Sequence, residues 1–71
     1  MKAMKVVAYE VHGKTRIFDS VNECCEYYNG IADQKTLQNT QVLRLCRGDG
    51  LWEYTENGVL HQVFFDELYQ R

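Results

Sequence analysis

The spacing of apolar positions along this 71-residue chain changes from about two to about 3.6 and back again. Val6 to Val11 is rich in β-branched and aromatic residues, His12-Gly13-Lys14 interrupts it, and Thr15-Arg16-Ile17-Phe18 resumes the pattern. This predicts a β-hairpin, with Gly13 supplying the positive φ of its turn. Val21, Cys24, Cys25 and Tyr28 then recur at i, i+3, i+4 and i+7, which is one apolar face of a helix. Ser20 with Glu23 three positions on is a capping box at its start. Asn29-Gly30 is read as its stop, with Gly30 left-handed, so the helix is about nine residues long. Asn22, Glu23 and Glu26 fall on its outer face.

Asp33 to Asn39 is polar and fits either a loop with one helical turn or the start of the next helix. Thr40 is a candidate N-cap for a helix through Arg47, with Val42, Leu43 and Cys46 inward and Gln41, Arg44 and Arg47 outward. Gly48-Asp49-Gly50 ends it. Leu51–Thr55 and Val59–Phe65 flank Glu56-Asn57-Gly58, and Asn-Gly between apolar runs predicts a type I′ hairpin. Trp52 and Tyr54 share one face of that hairpin, and Asp66 is a candidate cap for a closing helical turn through Tyr69. The expected order is β-β-α-α-β-β. This is an α+β fold of one small domain, residues 1–71, with two hairpins flanking a helix pair and a helix-turn-helix-like centre.

Charge adds a local feature that the period does not show. Residues 1–33 carry four cations and five acids, and residues 49–71 carry one cation and five acids. Between them, Lys35, Arg44 and Arg47 stand with no acid, although the whole chain has a net charge of −2. A basic helix in an acidic chain is a candidate surface for an anionic partner. The overall balance argues against a polybasic binder, so nucleic-acid contact would have to come from this one face.

Other chemistries find less footing. No apolar run approaches the ~20 residues of a membrane span, and Met1–Val11 has no apolar stretch ahead of a cleavage site, so neither a membrane partner nor a signal peptide is expected. Three cysteines, two of them adjacent, do not suggest a disulfide framework and point to a reducing, cytoplasmic setting. Cys24 and Cys25 diverge by about 100° on a helix and do not suit a zinc site, so all three cysteines are expected in the core. A Cys46–His61 nucleophile pair would lack a third group to orient it. Gly48-Asp49-Gly50 lacks the Lys-Ser/Thr of a phosphate loop. The chain is therefore read as non-catalytic, with no cofactor and no metal.

The residues Gly13-Lys14, Phe18-Asp19-Ser20-Val21, Glu23-Cys24, Asn29-Gly30-Ile31 and Thr40-x-Val42-x-Arg44-x-Cys46-Arg47-Gly48 together make a pattern. It resembles the nuclease-associated modular domain, also called the intron-encoded-nuclease repeat, which occurs beside homing-endonuclease catalytic domains and in phage proteins. The likeness covers roughly residues 11–48. It implies a helix-turn-helix-like pair that binds double-stranded DNA. The connector from Ala32 to Asn39 is longer than that family's tight turn, and the C-terminal hairpin is longer and more acidic.

On a recognition helix, Thr40, Gln41 and Arg44 would face the major groove, Gln41 pairing with adenine and Arg44 with guanine. Arg47 and Lys35 would lie on phosphates. The bland alternative leaves both arginines as solvated cations near a helix C-terminus. A rival function is a protein-interaction or homodimerisation module using the acidic hairpin (Asp49, Glu53, Glu56) and exposed aromatics. The two differ in one observable. DNA binding requires Arg44 and Arg47 exposed together and unpaired, whereas the rival has them bridged to Glu23, Glu26 or the C-terminal acids.

Overall fold

A computed structural model describes residues 4–48 and 50–68. The order is β1 (Lys5–Glu10), β2 (Thr15–Phe18), α1 (Val21–Ile31), α2 (Asn39–Cys46), β3 (Trp52–Glu56) and β4 (Val59–Leu68), the α+β arrangement expected. The two hairpins do not stay separate. They merge into one antiparallel sheet in the order β2-β1-β4-β3, with β1 against β4 from Lys5↔Leu68 to Glu10↔Val63. Both helices lie on one face of that sheet.

Alternation along each strand decides which residues meet the helices. Val6 and Ala8 of β1, Trp52 and Tyr54 of β3, and Val63 and Phe65 of β4 point to the helix side and are buried. They close on Cys24, Cys25 and Tyr28 of α1 and on Val42 and Leu45 of α2. Tyr28 has no exposure, and its ring lies 5.1–5.8 Å from those of Phe18, Tyr27, Trp52, Tyr54 and Phe65. Aromatic bulk suits a chain this short, whose core is otherwise marginal.

The predicted N-cap of α1 is present at Ser20, but the reciprocal half of the capping box is displaced by one residue. Ser20 accepts a hydrogen bond from the Glu23 N–H, and Glu23 Oε2 accepts one from the Asp19 N–H. The end of α1 is not as predicted. α1 continues through Gly30 to Ile31, Gly30 has no left-handed φ, and Ala32 is the C-cap. Asn29 is a helical residue whose side-chain amide grips the connector instead. Its Nδ2 donates to the Leu37 carbonyl and its Oδ1 accepts from the Leu37 N–H, both at 2.9 Å. This pair seats Leu37 in the core and sets where α2 begins.

Two turns differ in kind. At the second hairpin Asn57 and Gly58 have φ of 52° and 80°, the type I′ geometry predicted. At the first, the left-handed residue is His12 (φ 62°), not Gly13. Gly13 is required for a different reason: a Cβ there would lie 2.5 Å from Glu10 Oε2 and 2.9 Å from Glu10 Cβ. The closing helical turn expected after Phe65 is absent as far as Leu68, because β4 stays paired with β1 to its end, while Tyr69 lies outside the described residues.

Candidate nucleic-acid interface

α2 is an eight-residue helix, about 12 Å long. Its inward residues are Val42 and Leu45, with Cys46 half-buried. This rotates the helix from the phase read in the sequence. Leu43, expected inside, is 36% exposed, and Gln41, expected outside, is half-buried. Thr40 is not the N-cap either. That position is Gln38, which makes no capping hydrogen bond through its side chain, and Thr40 stands exposed within the first turn.

The rotation gathers a new stripe. Thr40, Leu43, Arg44 and Arg47 stand at i, i+3, i+4 and i+7 and are all exposed. Of the residues singled out in the sequence, Thr40, Arg44 and Arg47 therefore share one outer face, and Gln41 leaves it. Leu43 is the member that sequence reading missed. Testing the apolar residues in both helical phases would have found it, since Leu37, Val42 and Leu45 make a second inward set. Lys35 is exposed on the connector, in a left-handed conformation (φ 54°) that β-carbon-bearing residues seldom adopt.

Among the described residues the ion pairs are Lys5–Asp19 at 3.7 Å and His61–Glu56 at 3.9 Å. Neither involves Lys35, Arg44 or Arg47. Arg16, by contrast, is held in the fold, its guanidinium 4.8 Å above the Tyr27 ring. Glu26 is exposed on α1 between Asn22, which accepts from Asn39 at 3.3 Å, and Asn29, which grips Leu37.

No family model, curated protein or solved structure matches the chain. The chemistry of its other groups is read from geometry. Burial pushes the Cys24 thiol up to about 12, and it raises Cys25 as well. Cys46 is pushed up to about 11, first by burial and then by the carboxylates of Asp66 and Glu67. A thiol so raised is not an activated nucleophile near neutral pH. His61 stacks on the Tyr54 ring at 4.9 Å beside Glu56, while Cys46 lines a separate cavity of about 330 Å³ with Leu45, Phe65 and Asp66. Among the described residues no three His, Cys, Asp or Glu side chains are grouped to hold a metal. No described helix is long and apolar enough to cross a membrane.

Trp52 and Tyr54 are 8% and 6% exposed and belong to the core, so neither offers a surface on which a base could stack. Of the acidic hairpin, Glu53 accepts a hydrogen bond from Gln62, Glu56 faces His61, and Asp49 lies outside the described residues. Among the described residues the exposed aromatics are Tyr9 and Phe64, which belong by register to the sheet face opposite the core and also border the cavity that Leu45 and Cys46 line.

Proposed function

We propose that this chain is a non-catalytic module that binds double-stranded DNA through the outer stripe of α2. One observation carries the reading. Arg44 and Arg47 are exposed side by side on one helical face, with no carboxylate in ion-pair range among the described residues. An α-helix, about 10–12 Å across with its side chains, fits a major groove about 12 Å wide. Arg44 suits guanine, Leu43 and the Thr40 methyl suit a thymine methyl, and Arg47 and Lys35 suit phosphates. The capped helix after Phe18-x-Ser20 and the second helix closed at Gly48 support the likeness to the nuclease-associated module of phage and homing-nuclease proteins.

Three phosphate or base contacts give a weak, salt-sensitive complex. With a slope near −0.9 per neutralised phosphate, the two phosphate contacts of Arg47 and Lys35 lose about 12-fold in affinity between 50 and 200 mM salt. Fluorescence anisotropy on a mixed-sequence duplex tests this directly. Binding at about 50 mM salt is expected, with a log–log salt slope close to −2. The Arg44→Ala/Arg47→Ala double variant should flatten that slope by about one and lose further affinity with the guanine contact. Lys35→Asn should lower it by about one without straining the connector, because asparagine tolerates the left-handed conformation. An unchanged slope in the double variant, or no binding by the wild type at low salt, would sink the proposal.

A further inference from the structure

The helices cover one face of the sheet, and the other face is not wholly polar. By register, Lys5, Val7 and Tyr9 of β1, Thr15 and Ile17 of β2, Glu53 and Thr55 of β3, and the even-numbered residues of β4 point away from the helices. Val11 extends β1 on that face, its N–H bonded to the Gln62 carbonyl, and Leu51 precedes β3 on it. Of eight large apolar residues exposed in the structure, six stand there: Tyr9, Val11, Ile17, Leu51, Leu60 and Phe64. Val7 is 4% exposed yet is no part of the core cluster, because its burial comes from neighbours on this second face. A half-covered antiparallel sheet ordinarily alternates apolar-in with polar-out. This one sets Val7, Tyr9, Ile17, Leu60, Phe64 and Leu68 among the polar residues of its far face, so that face is unfinished. Contiguous patches of this kind mark interaction sites.

We infer that this face docks a second copy of the chain, sheet against sheet. Size is the first argument. β4 spans about 33 Å and four strands about 19 Å, so the face offers on the order of 500 Å² in plan, and side-chain relief carries it towards the ~800 Å² per partner of a specific interface. The 39 Å long axis of the molecule leaves room for it. Register is the second. Tyr9 of β1 lies directly opposite Phe64 of β4. A two-fold axis parallel to the strands, between β1 and β4, lays each β1 across the partner's β4 and brings Tyr9 of one copy over Phe64 of the other. The face is thus complementary to itself in aromatic placement, while Lys5 at its end stays paired with Asp19 of its own chain. Both copies of α2 then lie on the outside of the sandwich.

Sedimentation velocity from about 1 µM to 1 mM, without DNA, tests the inference. A reversible monomer–dimer equilibrium is expected, with a dissociation constant on the order of 10–100 µM for an interface at the small end of the range. Leu60→Asp on the far face should weaken it at least tenfold. Val59→Asp should not, since Val59 is equally exposed (59% each) but belongs to the helix-side face. Ile17→Asp repeats the test on another strand if Leu60→Asp melts earlier than the wild type by circular dichroism. A folded protein that stays monomeric at 1 mM overturns the inference. So does a dimer that Leu60→Asp and Ile17→Asp leave intact. Because DNA is absent throughout, neither outcome bears on the role of α2.

Discussion

Tyr28 shows how a single residue can carry the core and still be imperfect. Its ring is the hub of the aromatic cluster, but its hydroxyl is buried and has no hydrogen-bond partner. Burial, followed by the charge of Glu10, raises its pKa, as expected for a phenol held away from water. The Tyr54 hydroxyl meets the opposite circumstance and donates to Glu10 Oε1 at 2.6 Å. An unsatisfied buried hydroxyl costs more than it returns, whereas a hydrogen bond to a charged acceptor stabilises by about 2 kcal/mol. Tyr28→Phe should therefore raise stability by about 1 kcal/mol, while Tyr54→Phe lowers it by about 2 kcal/mol. Urea midpoints of the two variants check the pair. A loss on Tyr28→Phe would mean that the hydroxyl is satisfied after all, for instance by a buried water.

At the scale of elements, the connector between the helices does more than join them. The Asp33 N–H donates to the Thr55 carbonyl at 2.7 Å, which covers part of the outer edge of β3. The Asp33 carboxylate accepts from the N–H groups of Asn57 and Gly58, each at 3.0 Å, so it pins the type I′ turn. Those backbone donors, Gly58 first, hold its pKa below the usual carboxylate value. A carboxyl whose pKa is lowered by folding contributes stability above its unfolded pKa, near 3.8, and loses it as pH falls through the lower folded value. Asp33→Ala should therefore be less stable than the wild type at pH 7, and the gap should shrink as pH falls from about 5 towards 2. A gap of constant size would remove the carboxylate from the explanation.

The same connector marks where the sequence stops being legible. The Ser20 N-cap, the Asn-Gly turn and the α1 face are local devices, and each could be read within eight residues. The grip of Asn29 on Leu37 depends on a loop folding back over a helix, so Asn29-Gly30 looked like a stop signal. The phase of α2 is set by that grip, which is why Leu43 and Gln41 exchange sides while Arg44 and Arg47 keep theirs.

For the whole molecule the decisive contact is β1 against β4, which joins Lys5 to Leu68 and makes one sheet from two local hairpins. Nothing within either hairpin specifies that pairing. It follows from the need of both to cover the same aromatic cluster, Val6 and Ala8 from one side and Val63 and Phe65 from the other. Neither hairpin has a second helix layer to rely on, and an isolated two-stranded hairpin is marginal in water. The helices depend on the sheet in turn, since α2 rests mainly on β4 and α1 on α2, β1 and β2. Loss of the central pairing would split the core that all six elements share. The chain should therefore unfold in a single cooperative step despite its two-hairpin origin. Trp52, the sole tryptophan, sits in the cluster on β3, at the edge of the sheet farthest from β2. Its fluorescence reports the second hairpin, while far-UV circular dichroism reports the helices. At a fixed low protein concentration the two urea transitions should coincide in midpoint and slope. An earlier fluorescence transition would show the C-terminal hairpin detaching as its own unit, and the shared core would then not be what holds the hairpins together.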